Sequence, residues 1–319
     1  MGVIEASIVI GYHNEAGLVQ LLLDSIHPSI RERVEILLID DASTETYTYT
    51  YDQEIRRFQF GERQGIGAAF DAGVDRANTD NIILCGGDIV FKGGDWLDHF
   101  LSDLREDSKA LYCSTCLNLH EHALSVDDSG IVKGYGAFIE DFVPETTVLR
   151  TKWLAETLSA ESVYEVPCIL GAVYAVNKQW YKYIKGFKGH YHWGCLEPYI
   201  SIKNWMLGGS NKIDIRVETG HWFIVKKNRF KPESWEIAYN KLLATLVLGG
   251  ELKDKLFDHL NYINGIDKAI DFVYLDRKNI IEELRGFVEV QQVRTMSQFF
   301  EWQNSLIYKL GKLPLMRNP

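Results

Sequence analysis

Two short segments near the start of the chain, "ASIVIGY" (residues 6–12) and "VEILLID" (34–40), are almost unbroken apolar runs. Runs of this length predict strands buried on both faces. Between them "EAGLVQLLLDSI" (15–26) carries apolar residues at helical spacing. The alternation continues with a helix over "GAAFDAGVDRA" (67–77), a strand at 82–84 within "IILCGGDIVF", and a helix over 95–104. A strand over "ALYCSTCLNL" (110–119) follows. Strands alternating with helices predict an α/β fold, a mostly parallel sheet covered by helices on both sides. Residues 119–165 read as irregular, with "DDSG" and "GYG" turns, and "CILGAVYAV" (168–176) resumes strand character. "NKQWYKYI" and "EPYISIKNWML" read as short helices, and "KIDIRVETGHWFIV" (212–225) as one or two strands. "TYTYTY" (46–51) reads as an exposed strand or loop. From Pro232 onward the pattern is helical. These elements divide the chain into residues 1–118, a nucleotide-binding half, 119–230, a second half, and 231–319, a C-terminal helical appendage.

Composition narrows the class. The 319 residues are 46% hydrophobic, enough for a large core, and carry 34 basic against 44 acidic side chains, a net charge of −10. That balance disfavours general nucleic-acid binding, which depends on neutralising phosphates. No stretch approaches the roughly 20 apolar residues of a membrane helix. The opening "MGVIEASIVIGYHNE" lacks the basic-then-apolar pattern of a signal peptide. The cysteines number five, odd and sparse, as expected of reduced thiols in a cytoplasmic protein. Cys113 and Cys116 form a C-x-x-C near His120 and His122, but no second pair completes a zinc set, and two small strand residues is the simpler reading.

"GIGAAF" (65–70) begins like a dinucleotide fingerprint. Phe70 replaces its third glycine and "GERQ" is no buried strand, so a dehydrogenase is set aside. The stronger pattern is polar chemistry at strand tips: Tyr12 and His13 after the first strand, Asp40 and Asp41 after the second. Gly86-Gly87-Asp88 follows the third, and Gly220-His221 lies in the strand near 212–225. Carboxylates on one sheet edge can accept from a base or ribose, or hold a divalent ion bridging a diphosphate.

Four segments in order, His13-Asn14-Glu15-Ala16, Asp40-Asp41-Ala42-Ser43, Trp193-Gly194-Cys195-Leu196-Glu197 and Gly220-His221, resemble a GT-A fold glycosyltransferase of the family 2 type. The likeness is strongest to the catalytic domain of polypeptide N-acetylgalactosaminyltransferases and covers roughly residues 5–230. The resemblance implies a Rossmann-like sheet, a nucleotide-sugar donor, probed first as a UDP-sugar, and Mn²⁺ or Mg²⁺ held by Asp88 and His221. It places Asp41 on uracil and ribose with Asp40 in support, and Tyr12 and His13 beside the nucleotide. Gly65 and Gly87 complete the donor surface and Trp193 packs on the donor sugar. The chain departs from the family in three places. The first metal acid is missing, because Gly86-Gly87-Asp88 occupies its motif. Ala68 takes the place of the donor-binding arginine, so Lys226, Lys227 and Arg229 of "VKKNRFK" are the candidates to offset the diphosphate. Leu196 replaces a glutamate and Glu197 an asparagine, which makes Glu197 the candidate general base and points to inversion. The expected partners are the donor and an acceptor that is a protein, glycan or modified nucleobase, with no membrane span. A degenerate nucleotide-binding protein without turnover, or a viral DNA-base glycosyltransferase, are the competing readings.

Overall fold

The computed structural model describes residues 3–119, 133–140, 148–222 and 232–309. Its strands are β1 (Ala6–Tyr12), β2 (Val34–Asp40), β3 (Ile55–Gln59), β4 (Asn81–Gly86), β5 (Ile89–Phe91), β6 (Ala110–Asn118), β7 (Lys133–Gly134), β8 (Ala137–Ile139), β9 (Thr151–Trp153), β10 (Val163–Glu165), β11 (Val173–Asn177) and β12 (Ser210–His221). The helices are α1 (Ala16–Ser25), α2 (Pro28–Arg31), α3 (Ile66–Arg76), α4 (Trp96–Glu106), α5 (Lys178–Tyr183) and α6 (Leu196–Met206). After β12 come α7 (Ser234–Leu248), α8 (Lys253–Leu260), α9 (Ile266–Phe272), α10 (Lys278–Gln291) and α11 (Met296–Lys309).

The central sheet runs β10-β12-β6-β11-β4-β1-β2-β3, with β5 added to β12 and β7 to β6. Strands β1 to β4 are mutually parallel, and β12 is parallel to β6. β11 is antiparallel to both β4 and β6, so β6 and β12 point the same way as β1. The sheet is therefore mostly parallel, as expected, with β11 running against its neighbours. A parallel return requires a crossover, whereas short strands and no helix lie among the described residues between β6 and β11. The expected strand at 168–176 begins only at Val173, because residues 168–172 turn around Gly171.

Every residue of β1 is buried, as is all of β2 except Glu35. Helix α3 lies close on β1 because its contact face is small: a Cβ on Gly73 would strike Val9, and one on Gly11 would strike Ile66. The register then sets the site. Tyr12 pairs with Asp40, and Gly11 with Gly86, so the ends of β1, β2 and β4 meet on one edge. β12 reaches the same edge, with His221 opposite Asn118 on one side and Ile89 on the other.

Cys113 and Cys116 sit three residues apart on β6, so they face opposite sides of the strand and cannot share a ligand. His120 and His122 lie outside the described residues. The residues of "TYTYTY" form a loop whose Tyr49 and Tyr51 lean on the core. Helix α7 is buried around most of its circumference. Leu242 and Leu243 alone remove from water side chains worth about 1.5–3 kcal/mol each.

Candidate active site

The carboxyl edge of the sheet opens into a cleft of about 480 Å³. At one end the tips of β1 and β2 form a polar cluster. Asp40 is fully buried; its Oδ2 accepts from Tyr12 Oη at 3.1 Å and Arg57 at 2.7 Å, and its Oδ1 from the Ser43 N–H at 2.8 Å. Burial alone would raise its pKa, but these donors outweigh it and hold the group below the usual carboxylate range. Asp40 thus supports the edge from beneath, while Asp41 faces the cleft. The Asp41 oxygens accept from the backbone N–H groups of Gln64 at 2.6 Å and Gly65 at 2.9 Å. Its carboxylate anchors the loop before α3, and any base or ribose contact shares oxygens already engaged there. His13 Nδ1 donates to the Asp41 carbonyl at 2.6 Å and its Nε2 accepts from Asn14, which fixes the neutral Nδ1–H tautomer.

Gly65 opens α3 with φ +93°, and a Cβ there would fall on the His192 backbone. Gly87 is equally confined, against Tyr12 and Glu15, and its N–H donates to the Gly11 carbonyl at 3.1 Å. Gly65 is demanded by close approach of the His192 backbone and Gly87 by the crowding side chains of Val19 and Tyr12, which brings the 63–65 loop and the acid turn to the cleft.

Asp88 and His221 meet because β5 pairs with the end of β12. Asp88 Oδ1 lies 3.6 Å from His221 Nε2, each side chain 15% exposed, both on the cleft. Adjacent ligands of one octahedral ion, each about 2.1 Å from it, sit about 3.0 Å apart. The pair is within a small side-chain adjustment of that spacing. A carboxylate oxygen and an imidazole nitrogen suit a divalent ion that keeps waters and substrate phosphates. The donor set fits Mn²⁺ or Mg²⁺ as a two-residue protein contribution.

Opposite lies the start of α6. Its N-cap, Cys195, is left-handed (φ 60°), as are His192 (φ 50°) and Gly194 (φ 98°). The turn throws Trp193 outward, 53% exposed at the cleft mouth, so it is no core residue. Glu197 follows in the first turn of α6 and reaches the cleft beside Gly171, where a Cβ would collide with its carboxylate. Its Oε1 accepts from Tyr174 Oη at 3.1 Å. Burial raises its pKa above the ordinary value, only partly offset by its own N–H and Tyr174.

The cleft therefore gathers Tyr12, His13, Asp41, Asp88, Trp193, Glu197 and His221, with Asp40, Gly65 and Gly87 immediately behind. Lys226, Lys227 and Arg229 lie outside the described residues. Sequence reasoning missed Arg63, the one lysine or arginine among the described residues lining the cleft. Its side chain is 21% exposed, with Nε 3.8 Å from Asp41 Oδ2. Its sequence signal was faint, a single basic residue in the polar "GERQG" preceding a helix. Tyr174 and Trp153 were missed as well.

Fold and edge together define a GT-A architecture, as the sequence resemblance implied. Residues 7–118 match the family described as Glycosyl transferase family 2. Polypeptide N-acetylgalactosaminyltransferase 8 of Drosophila melanogaster is 24% identical over 284 residues, covering 82% of this chain and 46% of the relative. The crystal structure of GalNAc-T7 with UDP, GalNAc and Mn²⁺ superposes with a TM-score of 0.75 at 19% identity, over 98% of this chain and 59% of that one. Staphylococcus aureus TarS 1–349 in complex with UDP-GlcNAc gives 0.51 at 11% identity, over 97% and 93%. The chain spans about half the length of the curated relatives it matches.

Proposed function

We propose that this chain is a metal-dependent glycosyltransferase that moves a sugar from a nucleoside diphosphate donor, in the first instance a UDP-sugar, to an acceptor hydroxyl. The observation that carries the reading is the convergence of Asp88, His221 and Glu197 on one cleft at the carboxyl edge of the sheet. The nucleoside lies against Tyr12, His13 and Asp41, with Arg63 supplying positive charge beside them. Asp88 and His221 face the diphosphate. A divalent ion bound there would neutralise the diphosphate and stabilise it as a leaving group. Glu197 takes the proton of the acceptor hydroxyl as that oxygen bonds to the anomeric carbon, and the bond to the diphosphate breaks on the opposite face. The outcome is inversion. A carboxylate whose pKa is raised is a stronger base than an exposed one, which suits Glu197 to the task. The family match over residues 7–118 supports sugar transfer. The UDP and Mn²⁺ of the GalNAc-T7 complex support the donor and the ion. Cytoplasmic residence belongs to the same reading, supported by five unbridged cysteines.

The test is a donor panel. UDP-GalNAc, UDP-GlcNAc, UDP-glucose, UDP-galactose and GDP-mannose are each incubated with the protein and Mn²⁺, and nucleoside diphosphate release is followed. Release from a UDP-sugar that stops with EDTA and in Glu197→Gln is the expected result. Release from GDP-mannose alone would overturn the donor assignment, and no release from any donor, with or without acceptor mixtures, would overturn turnover itself.

A further inference from the structure

The turn carrying Trp193 is built from left-handed residues at 192, 194 and 195, a conformation that side-chain-bearing residues avoid. Such a turn needs external support, and it comes from helix α7. Glu236, 5% exposed, accepts from His192 Nδ1 through Oε1 at 2.6 Å. Its other oxygen accepts from the Glu233 N–H at 2.9 Å, closing the capping box that starts the helix. One turn later the fully buried Asn240 accepts from the Tyr191 N–H at 2.9 Å. Its amide donates to the Tyr191 carbonyl at 2.6 Å and the Trp193 carbonyl at 3.0 Å. A carboxamide can both donate and accept, and here both N–H groups and the carbonyl oxygen are engaged.

His192 carries this support to the 63–65 loop. Its Nε2 reaches the Arg63 carbonyl at 3.3 Å, its N–H donates to the Gln64 carbonyl at 3.3 Å, and the two segments bridge at Gly65 and His192. Asp41 grips the same loop from the other side. A continuous set of hydrogen bonds thus runs from α7 through His192 to the loop bearing Arg63, and from Asn240 to the turn that leads into Glu197.

We propose that Glu236 and Asn240 are positioning residues for the reaction, holding the 191–195 turn so that the Arg63 wall and the Trp193–Glu197 wall keep a fixed separation. The inference rests on the glycosyltransferase reading for its kinetic consequence, but its structural half stands apart from it. The competing account is that α7 merely docks there.

The full chain is labelled with 5-fluorotryptophan, and the Trp193 ¹⁹F line is assigned with Trp193→Phe. Glu236→Ala and Asn240→Asp are expected to shift or split that line and to lower donor turnover at least tenfold, with Glu236→Gln intermediate. Glu233→Ala weakens the same helix start without removing a hydrogen bond to the turn, and is expected to keep the line and stay within twofold in rate. Unchanged line and rate in Glu236→Ala and Asn240→Asp, or identical losses in Glu233→Ala, would overturn the proposal. Should either variant fail to fold, Glu236→Gln against Glu233→Ala gives the same decision. Absence of turnover in the unmodified protein would sink the functional reading while the Trp193 line still decides the positioning claim.

Discussion

Gly171→Ala isolates the role of Glu197. Gly171 is not among the positive-φ glycines, so alanine imposes no backbone penalty there. The added Cβ would instead fall on Glu197 Oε1, and would meet Cδ at 3.0 Å. Restoring ordinary contact requires the carboxylate to retreat by about 1 Å. A misplacement of that size costs roughly 10²-fold in rate, about 2.7 kcal/mol of barrier. The nucleotide end of the cleft is untouched, so UDP affinity should stay within about twofold. Donor hydrolysis, followed by UDP release, serves as the assay and needs no acceptor. Glu197→Asp withdraws the carboxylate by one methylene, so the double variant Gly171→Ala/Glu197→Asp should lose less than the sum of the two single losses. A Gly171→Ala protein with kcat within twofold of the parent would refute the placement of Glu197 at the reacting centre.

Three further outcomes follow from the same geometry. Tyr174→Phe removes a hydrogen bond that lowers the Glu197 pKa, so the acidic limb of the kcat/KM profile should move to higher pH; a limb that stays put or moves down contradicts Glu197 as the base. Arg63→Ala should weaken UDP binding about tenfold or more, the worth of a charged hydrogen bond of about 1.5–3 kcal/mol, and calorimetry would show it. Asp103, away from the cleft, has its pKa pushed up to about 7, by burial first and then by neighbouring Asp214. The folded state therefore binds a proton that the unfolded chain, titrating near 4, has released. Stability should fall as pH rises through about 7, and Asp103→Asn should flatten that slope in denaturant midpoints measured at pH 5 and pH 8. Equal slopes in both proteins would refute the assignment.

What the sequence revealed, and what it hid, follows from range. β1 and β2 could be read to the residue because a strand covered on both faces is a continuous apolar run. β3, "IRRFQ", was missed because its basic, half-exposed alternation resembles surface, though Arg57 within it neutralises Asp40. Asp88 and His221 could be paired on paper because each lies at or just after the end of a strand and resembles a known ligand. Their meeting nevertheless depends on β5, too short to announce itself. The direction of β11 was hidden, since an apolar run has no polarity. Arg63, Glu236 and Asn240 were invisible for a different reason. Each acts through partners far along the chain, as Glu236 does on His192, 44 positions away.

The most direct test of the central claim is calorimetric titration of UDP into the full chain with Mn²⁺, with EDTA, and with Mn²⁺ in Asp88→Asn and His221→Ala. The account predicts UDP binding with Mn²⁺ that is lost with EDTA and weakened at least tenfold in each variant. UDP binding indifferent to EDTA and to both substitutions would show that Asp88 and His221 hold no ion for a diphosphate.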